Sequence, residues 1–166
     1  VLHGNKGPIQ AELYAERFAM LAELGKTFGV VVAQENVARC TSRSLDFLLQ
    51  MQKLLGNDAK FVLDIKQAVR SNENPMQMLQ KLGSHIVHVH LSDHGEYGDC
   101  LPVGKGRFDV RTFLQTLSTC SPDCSVILEL YRSSFNNVQD LVNNYLVIQH
   151  MLAPGSANKT DSIPIR

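Results

Sequence analysis

Tryptophan is absent from this 166-residue chain, aromatic residues make up only 7% of it, and sixteen basic residues cancel sixteen acidic ones. Balanced charge of this kind provides no field that would gather nucleic acid or anionic lipid. No apolar run approaches the roughly 20 residues of a membrane-spanning helix, and no signal peptide is visible. Neither nucleic acid nor a membrane is therefore expected as a partner. The cysteines Cys40, Cys100, Cys120 and Cys124 form no C-x-x-C pair. A loop disulfide or weak metal site at Cys120 and Cys124 is conceivable, but ordinary thiols of a cytoplasmic protein are the expectation. What remains, 44% hydrophobic, is the composition of a globular α/β domain with its own core.

What the chain does have is a set of short apolar, β-branched runs, each ending in a metal-ligand residue type. Gly29–Gln34 leads to Glu35, Lys60–Leu63 to Asp64, Ile86–Val89 to His90, and Ser125–Leu128 to Glu129. Runs of this length between helix-length segments read as parallel strands, whose C-terminal ends carry the active site in α/β folds. Helical periodicity or capping residues predict helices over 9–28, 44–55, 75–82, 110–118 and 136–152. A long loop is expected from Ser92 to Phe108, and an irregular tail over 153–166. The chain opens on what reads as the end of a strand, Val1-Leu2-His3, and so is read as starting inside a larger fold.

Regular strand–helix alternation with a polar residue at each strand end predicts part of a (β/α)₈ barrel, strands 4/5 to 8 with their helices, over residues 1–152. A doubly wound sheet is the alternative, but it gathers its polar site at one switch point. Any one of Glu35, Asp64 and Glu129 fits a helix cap or an ion pair. All of them clustered with His90, and without a counter-ion, would repel one another. Carboxylates with an imidazole form a donor set for a divalent cation such as Mn²⁺, Co²⁺, Zn²⁺ or Mg²⁺.

With these residues in order, the chain resembles the xylose-isomerase-like (β/α)₈ barrels, a group of sugar-phosphate isomerases and epimerases, ketose 3-epimerases, inosose dehydratases and type-IV AP endonucleases. Four motifs and a final acid carry the resemblance. Gln34-Glu35-Asn36 is similar to the "E-N" closing the fifth strand, and Asp64-Ile65-Lys66-Gln67 to the "D-x-x-H" after the sixth. His88 to Asp93 matches "H-x-H-x-x-D" at the seventh. Pro102 to Asp109 matches "P-x-G-x-G-x-x-D", and Glu129 is the last acid. The resemblance covers the second half of such a barrel. It implies one divalent metal held by Glu35, Asp64, His90 and Glu129, with Glu35 and Glu129 moving protons on the two faces of a hydroxy-carbonyl substrate through an enediolate.

Strand alternation is read as setting His88 and His90 on opposite faces, and spacing together with the resemblance assigns His90 to the barrel interior and leaves His88 as a structural histidine facing the helices. His85, His94 and His150 are expected at the surface, and His3 beside the pocket. Asn36 and Asp93 are expected to orient the ligands, and Gln67 and Lys105 to meet substrate. Gln67 departs from the family's histidine and cannot transfer a proton. Glu96 stands where sugar epimerases place an arginine. Gly98-Asp99-Cys100 lacks the D-x-H of the AP endonucleases, which disfavours DNA repair. The expectation is a metal-dependent isomerase or epimerase of a small sugar, sugar phosphate or keto-polyol. A dehydratase or lyase of the same chemistry is the alternative, as is a truncated metal-binding fragment without turnover. A homodimer or a complementary N-terminal half-barrel is expected to complete the fold.

Overall fold

The computed structural model, which describes residues 1–153, is a succession of strands and helices. In chain order these are α1 (Ala11–Thr27), β1 (Gln34–Glu35), α2 (Leu45–Leu55), β2 (Phe61–Asp64), α3 (Ile65–Arg70) and α4 (Pro75–Leu82). There follow β3 (Ile86–Leu91), β4 (Asp93–Gly95), β5 (Gly98–Leu101), α5 (Val110–Cys120), β6 (Ser125–Leu128) and α6 (Val138–Leu152). The main sheet has the order β1-β2-β3-β6 and all its pairs are parallel. Leu2 adds a parallel bridge to Gln34 on the β1 side. Within this sheet each strand thus lies beside the sheet's next strand along the chain, with no reversal of order, and β4 and β5 pair apart from it. A doubly wound sheet needs such a reversal, whereas a singly wound barrel sector does not. The fold is α/β with a parallel sheet, part of a (β/α)₈ barrel.

Alternation along the strands sorts the residues into two faces. Phe61, Leu63, Val89 and Leu91 belong to one core with Met78, Leu79 and Leu82 of α4 and Phe113, Leu114 and Leu117 of α5. The other face carries Asp64 and His90. The helices begin where local chemistry satisfies their first N–H groups. Ser44 accepts from Phe47 N, Asn74 from Met76 N and Gln77 N ahead of Pro75, Asp109 from Thr112 N, and Asn137 from Asp140 N. Asn144 ties α6 to the loop after β5, accepting from Val103 N at 3.1 Å and donating to Val103 O at 3.0 Å.

Several expectations are corrected. The strand expected over 29–34 pairs only at Gln34–Glu35. The residues before it are drawn into the end of α1: Val30 N donates back to Gly25 O at 2.9 Å, and Gly29 takes φ +66° to allow the turn. The expected loop 92–108 contains the antiparallel hairpin β4–β5. Helix α3, absent from the sequence reading, starts directly after β2 because Asp64 caps it, its Oδ1 accepting from Gln67 N at 3.0 Å. The expected tail lies outside the described residues from Pro154 onward. No described helix is long and apolar enough to cross a membrane, and all four cysteines are free thiols.

Candidate metal centre

The C-terminal ends of β1, β2 and β3 bring Glu35, Asp64 and His90 together, and the pairing Asp64↔His90 places two of them side by side. Each offers one donor atom, and these atoms lie within 4.8 Å of one another. Nδ1 of His90 sits at the middle, 3.5 Å from Glu35 Oε1, 3.5 Å from Asp64 Oδ2 and 2.9 Å from Glu129 Oε2. Glu129 follows β6 by one residue, and its N–H still pairs with Leu91 O at 3.0 Å, which carries the sheet as far as the site.

Asp64 Oδ2, His90 Nδ1 and Glu129 Oε2 are buried here without a well-formed hydrogen bond, their nearest polar neighbours being one another and Lys66 Nζ. Buried polar atoms are almost always satisfied, so a cluster of such atoms facing one point suits a ligand bound there. Hard oxygens and one imidazole from separate strands fit a divalent cation, and the orphaned atoms would each gain a bond from it. The electrostatics reflect the crowding of carboxylates around one imidazole. Asp64, and then Glu35, hold the His90 imidazole up to about 9 against the opposing effect of burial. Burial alone would raise the Glu35 carboxyl, but His90 and His3 outweigh it and leave it lowered. Nε2 of His3 lies 3.3 Å from Glu35 Oε2 on an exposed side chain.

His88 stands differently from the expectation. Residues two apart on a strand share a face, so His88 lies on the same face as His90, not toward the helices. Their rings are 5.1 Å apart and nearly perpendicular, and His88 Nδ1 pairs with Ser125 Oγ at 2.6 Å. Burial, then the neighbouring His90 charge, lowers its pKa. His85 is also not a bare surface residue, since its Nδ1 pairs with Ala59 O at 2.9 Å. His94 is half-buried, with its ring 5.1 Å from that of Phe108.

Asn36 is fully buried and holds the backbone of Asp64 from both sides, donating to Asp64 O at 3.0 Å and accepting from Asp64 N at 2.7 Å. Asp93 does a different job from the one expected of it. Its carboxylate accepts from His94 N, Phe108 N, Gly104 N and Gly106 N at 2.7–3.0 Å, so it organises the glycine loop, not a ligand. Gly106 has no room for a side chain here, since a Cβ would lie 2.2 Å from Asp93 Oδ1. Gln67 Oε1 accepts from Ala38 N at 3.0 Å and so ties the loop after β1 to α3. Lys105 is exposed in the turn after β5, with its N–H on Pro102 O at 3.0 Å.

The sequence reading missed Lys66. This residue is buried, and its Nζ donates to Glu129 Oε1 at 2.9 Å and lies 3.6 Å from Asp64 Oδ2. It also lies over the ring of Tyr131, 5.3 Å from the centroid, which Arg70 faces at 5.5 Å. Arg70 in turn pairs with Asp99. Burial lowers the Lys66 pKa, but Glu129 and Asp64 outweigh it and leave it raised, so the side chain is an ammonium. No local signal marks it, since a lysine in the first turn of a helix can equally extend into water; its burial follows from the sheet order that sets β3 between β2 and β6.

The xylose isomerase-like TIM barrel family matches residues 3–148, and the chain belongs to that family. Among solved structures it is similar to a D-tagatose 3-epimerase-like protein, at 21% identity and TM-score 0.66, covering 86% of this chain and 54% of the other. It is also similar to the probable 3-DHS dehydratase AsbF of Bacillus anthracis, at 15% identity and TM-score 0.70, over 92% of this chain and 61% of that one. A third is the IolI protein with a bound zinc atom, at 17% identity and TM-score 0.66, over 87% and 59%. The chain thus spans little more than half the length of these structures, and at such identities the likeness is one of fold.

Proposed function

We propose that this chain holds one divalent metal through Glu35, Asp64, His90 and Glu129 and, in a completed barrel, isomerises or epimerises a small sugar, sugar phosphate or keto-polyol. The observation that carries the reading is the convergence of three orphaned buried atoms, Asp64 Oδ2, His90 Nδ1 and Glu129 Oε2, on one point at the strand ends. The zinc in the IolI structure and the D-tagatose 3-epimerase-like protein among the similar folds support it.

When bound, the metal would polarise a carbonyl and spread the negative charge of an enediolate. The chain's own residues do the rest. Asn36 fixes the height of Asp64 on its strand. Glu35 and Glu129 stand on either side of His90, where a carboxylate oxygen can take a proton from a carbon next to the carbonyl and return one. Gln67, already bonded through its oxygen, keeps its amide N–H₂ for a substrate hydroxyl. Lys105 is left to an outlying anionic group of the substrate. A cytoplasmic setting is part of the same proposal, and cysteine usage supports it. The partner that completes the site is a second copy or a complementary half-barrel.

The test is metal analysis of the purified chain by mass spectrometry, followed by calorimetric titration of Mn²⁺, Co²⁺, Zn²⁺ and Mg²⁺ into wild type and Glu129→Gln. One metal per site and much weaker binding in the variant are expected. Equal affinity in the variant would remove Glu129 from the ligand set. Solvent deuterium exchange into ketose substrates then tests the chemistry, since Glu35→Gln and Glu129→Gln should each abolish it.

A further inference from the structure

Lys66 is the buried charge that the proton-transfer scheme leaves without a role. It is the second residue of α3, where a lysine ordinarily extends its head into water, yet its side chain is only 6% exposed. In the sheet, β3 stands between β2 and β6. A side chain that starts just after β2 and meets Glu129 just after β6 must therefore cross the C-terminal end of β3, where His90 stands. This sets its Nζ over the mouth of the candidate metal centre.

An ammonium has three N–H donors. One is used on Glu129 Oε1 at 2.9 Å, and Asp64 Oδ2 at 3.6 Å is an ion-pair neighbour too distant for a hydrogen bond. The Tyr131 ring face, 5.3 Å away, offers no oxygen to them. Two donors of a buried ammonium are thus left beside a converging set of ligand atoms. A simple counter-ion to Glu129 would serve as well from the solvent side, because Glu129 is itself 40% exposed. Charge points the same way. Glu35, Asp64 and Glu129 carry three negative charges; a divalent cation and Lys66 together balance them. Without Lys66, a substrate oxygen that turns negative would meet an excess of carboxylates.

We propose that Lys66 is a substrate-contacting residue, whose ammonium donates to the oxygen that gains charge as the neighbouring carbon is deprotonated. In that step the C–H proton passes to a glutamate carboxylate, the C–H electron pair becomes the new C=C bond, and the carbonyl π pair moves onto oxygen. The ligand class is a group with oxygens on adjacent carbons, one facing the metal ligands and the other facing Lys66. The inference rests on the metal-centre reading above.

The probe is oxalate, a dianion with oxygens on adjacent carbons, titrated calorimetrically into the Mn²⁺-loaded chain. Wild type should bind it, and Lys66→Met should bind it about tenfold more weakly or worse, with Lys66→Arg restoring part of the loss. Mn²⁺ affinity of Lys66→Met should be unchanged or higher, because a cation beside the ligands has been removed. Oxalate binding equal to wild type in Lys66→Met overturns the inference, as does a Mn²⁺ affinity that falls about tenfold, which would make Lys66 a prop for Glu129. Wild type that binds Mn²⁺ but no oxalate overturns this inference alone. Wild type that binds no Mn²⁺ overturns the metal-centre reading as well. Should Lys66→Met not fold, Lys66→Gln, which keeps a donor without the charge, gives the same comparison.

Discussion

Asn36 pairs with the main chain of Asp64 as a neighbouring strand would: its Nδ2 donates to Asp64 O at 3.0 Å and its Oδ1 accepts from Asp64 N at 2.7 Å. Strand β1 ends at Glu35, so the backbone of Asp64 has outrun its partner strand, and this one side chain continues the ladder. The pair of bonds fixes Asp64 by its backbone and leaves its Oδ2, the carboxylate oxygen not used to cap α3, for the candidate metal centre.

Asn36→Ala should therefore cost more than a surface change. Both Asp64 main-chain groups would lose a buried partner, a loss of roughly 2–4 kcal/mol. Urea unfolding with and without Mn²⁺ checks it. Destabilisation under 1 kcal/mol would mean that water replaces the amide. The same variant should bind metal more weakly, since Asp64 would no longer be held at a set height.

The imidazole of His90 gives the metal-free chain a characteristic pH dependence. Its pKa is raised from 6.5 to about 9 in the fold, first by Asp64 and then by Glu35. A group raised on folding adds stability that is fully present below its unfolded pKa and is lost as pH rises through its folded pKa. In the presence of a chelator, stability should therefore fall between about pH 6.5 and pH 9. His90→Gln should flatten that slope. With saturating metal the slope should also vanish, because a metal-bound imidazole is already deprotonated. Thermal melts across that range distinguish the cases, and a flat chelated profile would refute the assignment.

Much of this was legible in the sequence because strand ends and ligand chemistry are both local signals. Ile86–Leu91 and Phe61–Asp64 are apolar runs bounded by polar residues, and the ligand types at their ends needed no tertiary knowledge. What escaped was decided by tertiary contact. Val30 and Val31 have strand chemistry but sit at the sheet's edge, where the end of α1 captures Val30 N. Asp64 looked like a strand-terminal ligand and nothing more, so the helix it caps went unseen. Lys66 was passed over because lysine is rarely buried, and only the sheet order reveals that it spans from β2 to Glu129. His88 shares a face with His90, not with the helices, because two-residue spacing returns a strand to the same side.

Gly25 is a point of close approach between α1 and the segment entering β1. A Cβ there would lie 2.7 Å from Val30 O and 2.8 Å from Val32 Cγ2. The first contact is backbone and cannot rotate away. Although alanine is the better helix former, Gly25→Ala should destabilise by about 1–3 kcal/mol, read as a lower urea midpoint at an unchanged slope. A stabilised variant would show that the turn after α1 can move freely.

The last expectation concerns assembly. Exposed apolar side chains gather on the two flanks of the sheet sector. Leu13, Met20, Leu21 and Leu24 project from α1 at one flank, and Val138, Val142, Tyr145 and Leu146 from α6 at the other, with Ile127 exposed on β6 between the sheet and open space. In a closed barrel these are the surfaces that neighbouring strand–helix units cover, and parallel sheets are normally covered on both faces. Apolar area of this extent left in water drives association. The chain alone should therefore form a dimer or larger species, and adding a complementary half-barrel should convert it to a defined complex. A second copy would bring a second ligand set, rich in carboxylates, to the same barrel mouth, so metal should favour the homodimer by neutralising both sets. Light scattering coupled to size exclusion, with and without Mn²⁺, measures this. A monodisperse, folded monomer at micromolar concentration, indifferent to metal, would show that the open flanks are tolerated and that the site needs no partner.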